Sequence, residues 1–80
     1  MNIGEACRIR IGELCKERGI TVNKLSIISG ITQSTLNNIV SGRNNSMTVS
    51  TLKKICDGLE ISVIDFFNSD SFKNLEQEIK

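Results

Sequence analysis

The chain has 80 residues, 39% of them hydrophobic and 24% charged, a composition that predicts one small globular domain and excludes a disordered segment. It has neither a run of about 18 apolar residues nor the apolar core of a signal peptide, so we expect no membrane association and a cytoplasmic protein. The net charge of +1 is uneven: residues 1–54 carry eight Lys/Arg and three Asp/Glu, whereas residues 55–80 carry two and six. This asymmetry suggests a basic surface separate from an acidic one, although a solvated charge pattern without a partner is also common.

Two helices are predicted in the first 30 residues. The first covers about residues 4–18 and ends at Gly19. Its apolar stripe recurs every three or four positions at Cys7, Ile11 and Leu14, and the stem of Arg18 can close it. The second begins after Thr21, a typical N-cap, and ends at Gly30. Its predicted inward residues are Val22, Leu25, Ser26 and Ser29.

The third predicted helix has an unusual outer face. It begins after Thr32, ends before Gly42, and buries Leu36, Ile39 and Val40. The opposite face carries amides and hydroxyls where lysines and glutamates are usual: Gln33, Ser34, Asn37 and Asn38. Gln and Asn present a donor and an acceptor together, which matches the major-groove edge of adenine, so this face suits DNA. Polar uncharged residues that merely solvate an ordinary helix are the plainer interpretation.

The last part of the chain predicts two more helices and a tail. Residues 42–48 form a polar loop, and Thr48 caps a fourth helix with the inward stripe Val49, Leu52, Ile55, Cys56 and Leu59. Ser62 opens a short fifth helix that contributes Phe66 and Phe67 to the core. Residues 69–80 either extend this helix or fray, and an amphipathic helix fits the spacing of Phe72, Leu75 and Ile79.

An enzymatic site is not indicated. The chain has no histidine, no tyrosine, no phosphate-binding glycine loop and no metal-ligand spacing, so we expect neither catalysis nor a metal or other cofactor. Its three cysteines form no C-x-x-C pair and fall at apolar positions, which is typical of buried structural thiols: Cys7, Cys15 and Cys56.

The order of the second and third helices is that of a helix-turn-helix. Gly30 allows a sharp turn, and the apolar residues on both sides of it, Leu25, Ile31 and Leu36, fix the angle between the helices. The third helix is then free to enter a DNA major groove.

The stretch "LSIISGITQSTLNNIVSG" resembles the helix-turn-helix of the Cro and phage-repressor family, also called the XRE type. The similarity covers roughly residues 7–68, because "IGELCKERGIT" and "TVSTLKKICDGLEISVIDFF" resemble the first helix and the last two helices of that family. The resemblance implies an all-α, five-helix, lambda-repressor-like DNA-binding domain over residues 1–68, followed by the tail at 69–80. It also implies a transcriptional regulator that binds double-stranded DNA, with repression as the expected output. Members of the family are commonly homodimers on palindromic operators.

Residue roles follow from the same resemblance. The base-reading positions are Gln33, Ser34, Asn37 and Asn38. The positions that contact the DNA backbone are Thr32, Arg43, Asn44 and Asn45, with Lys24 and Arg10 as weaker candidates.

Two questions stay open at the level of sequence. We expect the homodimer to pair through Phe66, Phe67 and the tail, because the apolar residues of the tail have little else to cover. The alternative function is an antitoxin or protein-interaction module on the same fold, in which DNA binding is secondary or lost. Val22 favours this alternative slightly, because relatives often hold a phosphate with a glutamine there. Ile27 is predicted to be exposed; isolated exposed isoleucines are common, and the functional interpretation is a contact for a partner protein or a subunit.

Overall fold

A computed structural model describes residues 1–43 and 46–79, and within these ranges the chain forms five α-helices, one 3₁₀ turn and no strand. The helices are α1 (Ile3–Arg18), α2 (Val22–Ser29), α3 (Gln33–Val40), α4 (Val49–Leu59) and α5 (Val63–Phe67). The 3₁₀ turn covers Asp70–Phe72. The predicted all-α class with five helices is therefore confirmed.

The helices begin and end at local signals. At each N-terminus a side-chain oxygen accepts a hydrogen bond from the backbone of the first turn, and the capping residues are Asn2, Thr21, Thr32, Thr48 and Ser62. Gly19 and Gly30 end α1 and α2 with φ values of 63° and 67°, in the left-handed region that glycine adopts without strain. The caps at Thr21, Thr32, Thr48 and Ser62 and the ends at Gly19 and Gly30 confirm the predictions, and Asn2 adds a cap that starts α1 at Ile3.

The core lies between the helices, with α2 packed against both α3 and α4. Its largest fully buried side chains come from all five helices: Phe66, Ile11, Leu25, Leu36, Ile55, Leu59 and Cys56. Val49 was predicted to join this core, but its side chain is 82% exposed, so that prediction was wrong. It is the first residue of α4. A helical side chain leans toward the helix N-terminus, so at this position it projects past the packed part of the helix.

The tail does not continue α5 as a helix. Phe72 packs its ring 4.8 Å from that of Phe67 and 6.0 Å from that of Phe66, measured between ring centroids. Residues 73–79 contain no helix, and the amide of Glu76 donates to the carbonyl of Met1 at 3.0 Å. Contacts with the rest of the domain therefore override the helical periodicity of the tail.

The aromatic rings of α5 are not available to a dimer partner in the way the sequence suggested. Phe66 is fully buried, and Phe67 is half-buried against Phe66 and Phe72. The assignment of Phe66 to a dimer surface is thus corrected, because this ring fills the core of its own chain. Instead, α5 exposes Ile64 (81%) and Val63 (39%).

The three cysteines are buried and free. Burial raises the pKa of the Cys7, Cys15 and Cys56 thiols, so they stay protonated near neutral pH. No group of His, Cys, Asp and Glu suited to a metal ion occurs among the described residues. Within the same residues, every helix is too short or too polar to span a bilayer.

Candidate nucleic-acid interface

The candidate site is built on the turn between α2 and α3. Gly30 ends α2, and the amide of Ile31 donates to the carbonyl of Ser26 at 3.1 Å, which closes the turn. Leu25 on α2 and Leu36 on α3 are both fully buried on the inner side of this turn. The angle between the two helices is therefore set by core packing, so the outer face of α3 is held rigidly.

The outer face of α3 presents the predicted polar residues to solvent. Gln33, Ser34 and Asn37 are exposed, whereas Asn38 is half-buried at the edge of the face. Two residues along a helix correspond to about 200°, so Ser34 lies about 160° around the helix from the buried Leu36. The structure therefore leaves three of the four side chains exposed and one half-buried; Ser34 lies opposite the core, whereas Gln33 lies only about 60° from Leu36 and is exposed in the first turn of α3.

The Thr32 hydroxyl already makes hydrogen bonds in the first turn of α3. Its Oγ1 accepts from the amide of Thr35 at 3.2 Å and donates to the Thr35 hydroxyl at 2.8 Å. A phosphate contact from the Thr32 hydroxyl has to replace the second of these bonds. The amides of Gln33 and Ser34, by contrast, point out of the first turn without an intrahelical acceptor, as in any α-helix, and suit a phosphate oxygen.

The sequence on both sides of α3 lacks acidic residues. Residues 18–56 contain five Lys/Arg and no Asp/Glu. Lys24, in the first turn of α2, and Arg43, just after α3, are both exposed. This region therefore attracts a polyanion even though the whole chain is nearly neutral. The predicted backbone contacts Asn44 and Asn45 lie outside the described residues.

Arg10 is engaged away from α3. Its Nε donates to the carbonyl of Phe66 at 2.7 Å, and its Nη2 donates to that of Asp65 at 2.9 Å. Its Nη1 also lies 3.6 Å from the Glu13 carboxylate, and only 15% of the side chain is exposed. The guanidinium thus satisfies carbonyls at the end of α5, and we leave Arg10 out of the proposed interface.

Arg8 is a basic residue near α3 that sequence reasoning missed. Its guanidinium lies over Gly42, so that a Cβ added to this glycine would stand 2.6 Å from Arg8 Nη1 and 3.6 Å from Cζ. Gly42 itself has a φ of 85°. The two residues are far apart in the chain, and no local pattern indicates that they meet.

Comparison with known proteins places this geometry among helix-turn-helix regulators. The family model of the Cro/C1-type HTH DNA-binding domain matches residues 10–69. The chain is 35% identical over 57 residues to the SPbeta prophage-derived uncharacterized HTH-type transcriptional regulator YopS of Bacillus subtilis strain 168, covering 71% of this chain and 77% of YopS. It is 30% identical over 56 residues to the HTH-type transcriptional regulator SlrR of the same strain, covering 70% of this chain. The matched part spans only 37% of SlrR.

A solved structure shares the fold. The crystal structure of the prophage Lp1 protein 11 is 33% identical in sequence, with a TM-score of 0.80. The match covers 94% of this chain and 100% of that one. The five-helix arrangement is therefore similar over nearly the whole chain.

Proposed function

Because this chain belongs to the Cro/C1-type helix-turn-helix family of DNA-binding domains, we propose that it is a transcriptional repressor that binds a palindromic operator as a homodimer. Its relatives are transcriptional regulators and not enzymes, and its partner is double-stranded DNA. The observation that carries the proposal is the exposed, uncharged polar face of α3. The opposite face of this helix packs on the core, and the surrounding sequence has no acidic residues.

In the proposed complex, α3 enters the major groove with its N-terminal residues against the bases. Gln33, Asn37 and Asn38 offer paired donors and acceptors, and Ser34 adds a hydroxyl. Lys24 and Arg43 hold the DNA backbone, with Thr32, Asn44 and Asn45 as the further backbone candidates. Occupation of the operator excludes polymerase without requiring any additional surface, so repression is the simplest output. We place this activity in the cytoplasm, where bacterial DNA lies.

The proposed dimer pairs through the exposed side of α5. Ile64 is 81% exposed, and Val63 beside it is 39% exposed, although both are large apolar residues. Two symmetric copies place their α3 helices on successive major-groove turns, about 34 Å apart. Ile64→Lys should convert the dimer to a monomer in analytical ultracentrifugation and leave the fold intact, because this side chain contributes little to the core. An unchanged sedimentation coefficient would exclude α5 as the interface.

The experiment that tests the proposed function is selection of bound duplexes from a random DNA library by the purified protein at about 0.15 M salt. The proposal predicts an enriched palindrome with half-sites about one helical turn apart. Enrichment of a single half-site would contradict the dimer alone. Binding that is absent or blind to sequence would contradict the operator-binding function itself.

A second candidate function is supported by the outer face of α2. Ile27 is 67% exposed, which confirms its predicted exposure, and Ile28 next to it is 38% exposed. An antitoxin or protein-interaction module would use such a patch for a protein partner. Ile27→Lys should then abolish capture of the partner from a cell lysate while DNA binding persists. Equal capture of the partner by the wild type and by Ile27→Lys would show that Ile27 does not bind it.

A further inference from the structure

The position of Arg8 raises the question of what balances its charge. The side chain is half-buried, and its guanidinium covers Gly42, the glycine that follows the end of α3. Within the described part of the chain, no carboxylate lies within ion-pair distance of it. Because burial removes part of the hydration of the guanidinium, an anionic partner would stabilise it.

The nearest acidic residues along α1 are engaged elsewhere. Glu5 accepts a hydrogen bond from the Asn2 side chain at 2.8 Å. Glu13 lies 3.6 Å from Arg10 and accepts a hydrogen bond from the Ser69 hydroxyl at 3.1 Å. Neither carboxylate is therefore available to Arg8. Its guanidinium lies at Gly42, just after α3, and Arg43 is the next residue in the chain.

We propose that Arg8 and Arg43 form a clamp for a DNA backbone phosphate at the C-terminal end of α3. Arg8 approaches from α1 and Arg43 from the turn, so a phosphate there meets cations from two separate elements. Guanidinium groups bind phosphate through paired hydrogen bonds, which suits two arginines around one turn. This proposal rests on the proposed function, and it adds α1 to the DNA-binding surface of α2 and α3.

A purely structural role for Arg8 makes a different prediction. The C-terminus of a helix carries a partial negative charge, and Arg8 would stabilise α3 by lying near it. In that case, replacement of Arg8 would lower stability without removing any contact to DNA. The salt dependence of DNA binding separates the two roles, because only a phosphate contact releases counterions.

The experiment compares the wild type with Arg8→Met and Arg8→Gln, each titrated with a scrambled 20-base-pair duplex between about 50 and 200 mM salt. We expect both variants to bind about tenfold more weakly at 0.15 M salt. The slope of log K against log salt should become shallower by about 0.9, the value for one phosphate contact. Arg8→Lys keeps the charge and should keep the slope.

Lys16→Met is the matched control, since it removes one positive charge from an exposed position of α1 beside Glu13 and Glu17, outside residues 18–56. It should leave the slope unchanged. An unchanged slope for both Arg8→Met and Arg8→Gln would overturn the clamp, whether or not affinity falls. Because the duplex is scrambled, this result is independent of operator recognition, which the random-library selection tests separately.

Discussion

At the scale of single residues, Gly58 shows how closely α2 and α4 approach. A Cβ on this residue would stand 2.6 Å from the Ser29 hydroxyl oxygen and 2.9 Å from the carbonyl oxygen of Ile28. The second contact is with backbone, which cannot turn aside as a long side chain can. Glycine is therefore required here for packing, although it lies inside a helix where alanine is intrinsically favoured.

Gly58→Ala should lower the free energy of unfolding by about 1–3 kcal/mol, because the added methyl forces α4 away from α2. Urea unfolding followed by circular dichroism measures the change. Gly12→Ala is the matched control, since Gly12 lies inside α1 and a Cβ there meets nothing within 4 Å. The control should gain up to about 1 kcal/mol from helix propensity. A loss of stability in both variants would contradict the packing argument.

At the scale of elements, the helix starts were predictable from sequence and the tail was not. Thr21, Thr32, Thr48 and Ser62 each cap a helix through a residue three positions along, so the information is local. The course of the tail instead depends on Phe72 meeting Phe66 and Phe67. Periodicity within the tail holds no information about that contact. The contact between Arg8 and Gly42 was not predicted for the same reason, because the two residues are far apart in the sequence.

Arg10 joins two elements and provides a test at this scale. Its hydrogen bonds to the carbonyls of Asp65 and Phe66 cross from α1 to α5. Arg10→Met should lower the free energy of unfolding by about 1–3 kcal/mol, because two carbonyls lose a charged donor. The measurement is again urea unfolding.

The same variant tests whether Arg10 contacts DNA. Because its guanidinium serves α5, Arg10→Met should leave the salt dependence of DNA binding at its wild-type slope. A slope shallower by about 0.9 would show instead that Arg10 binds a phosphate, as the family resemblance suggested.

At the scale of the whole molecule, the three thiols couple stability to alkaline pH. Burial raises their pKa above the ordinary value of 9.0 that they regain on unfolding. Above about pH 9 the unfolded chain therefore releases protons that the native state keeps, so stability falls as pH rises. The chain has no histidine or tyrosine, and Lys53 and Lys73, whose pKa is raised by hydrogen bonds to Asp57 and Asp70, add to the fall at the alkaline end.

Urea unfolding between about pH 7.5 and 10 should show this fall, and Cys7→Ala should make it shallower by removing one of the titrating thiols. The slope with pH is the relevant readout, because the substitution itself also costs packing. Stability that is constant or rises over this range would contradict the buried, protonated state of the cysteines.

The proposed DNA-binding surface contains residues that the sequence could assign and residues that it could not. The sequence indicated the polar face of α3 because Gln33, Ser34 and Asn37 interrupt an apolar helical pattern locally. It also suggested Arg10, which the fold directs to α5, and it placed Phe66 on a dimer surface although that ring is fully buried. Most residues within one helix could be assigned from periodicity, with Val49 at a helix start as an exception, whereas those whose surroundings come from other helices required the three-dimensional structure.

In the proposed complex, α3 reads the bases while the residues around it hold the DNA backbone. The most direct test measures the affinity of Gln33→Ala and Arg43→Ala for the selected operator and for all of its single-base variants. We predict that Gln33→Ala loses about 1–3 kcal/mol on the operator and no longer discriminates at one base pair per half-site. Arg43→Ala should weaken every sequence alike. Unchanged discrimination by Gln33→Ala at every position would contradict the claim.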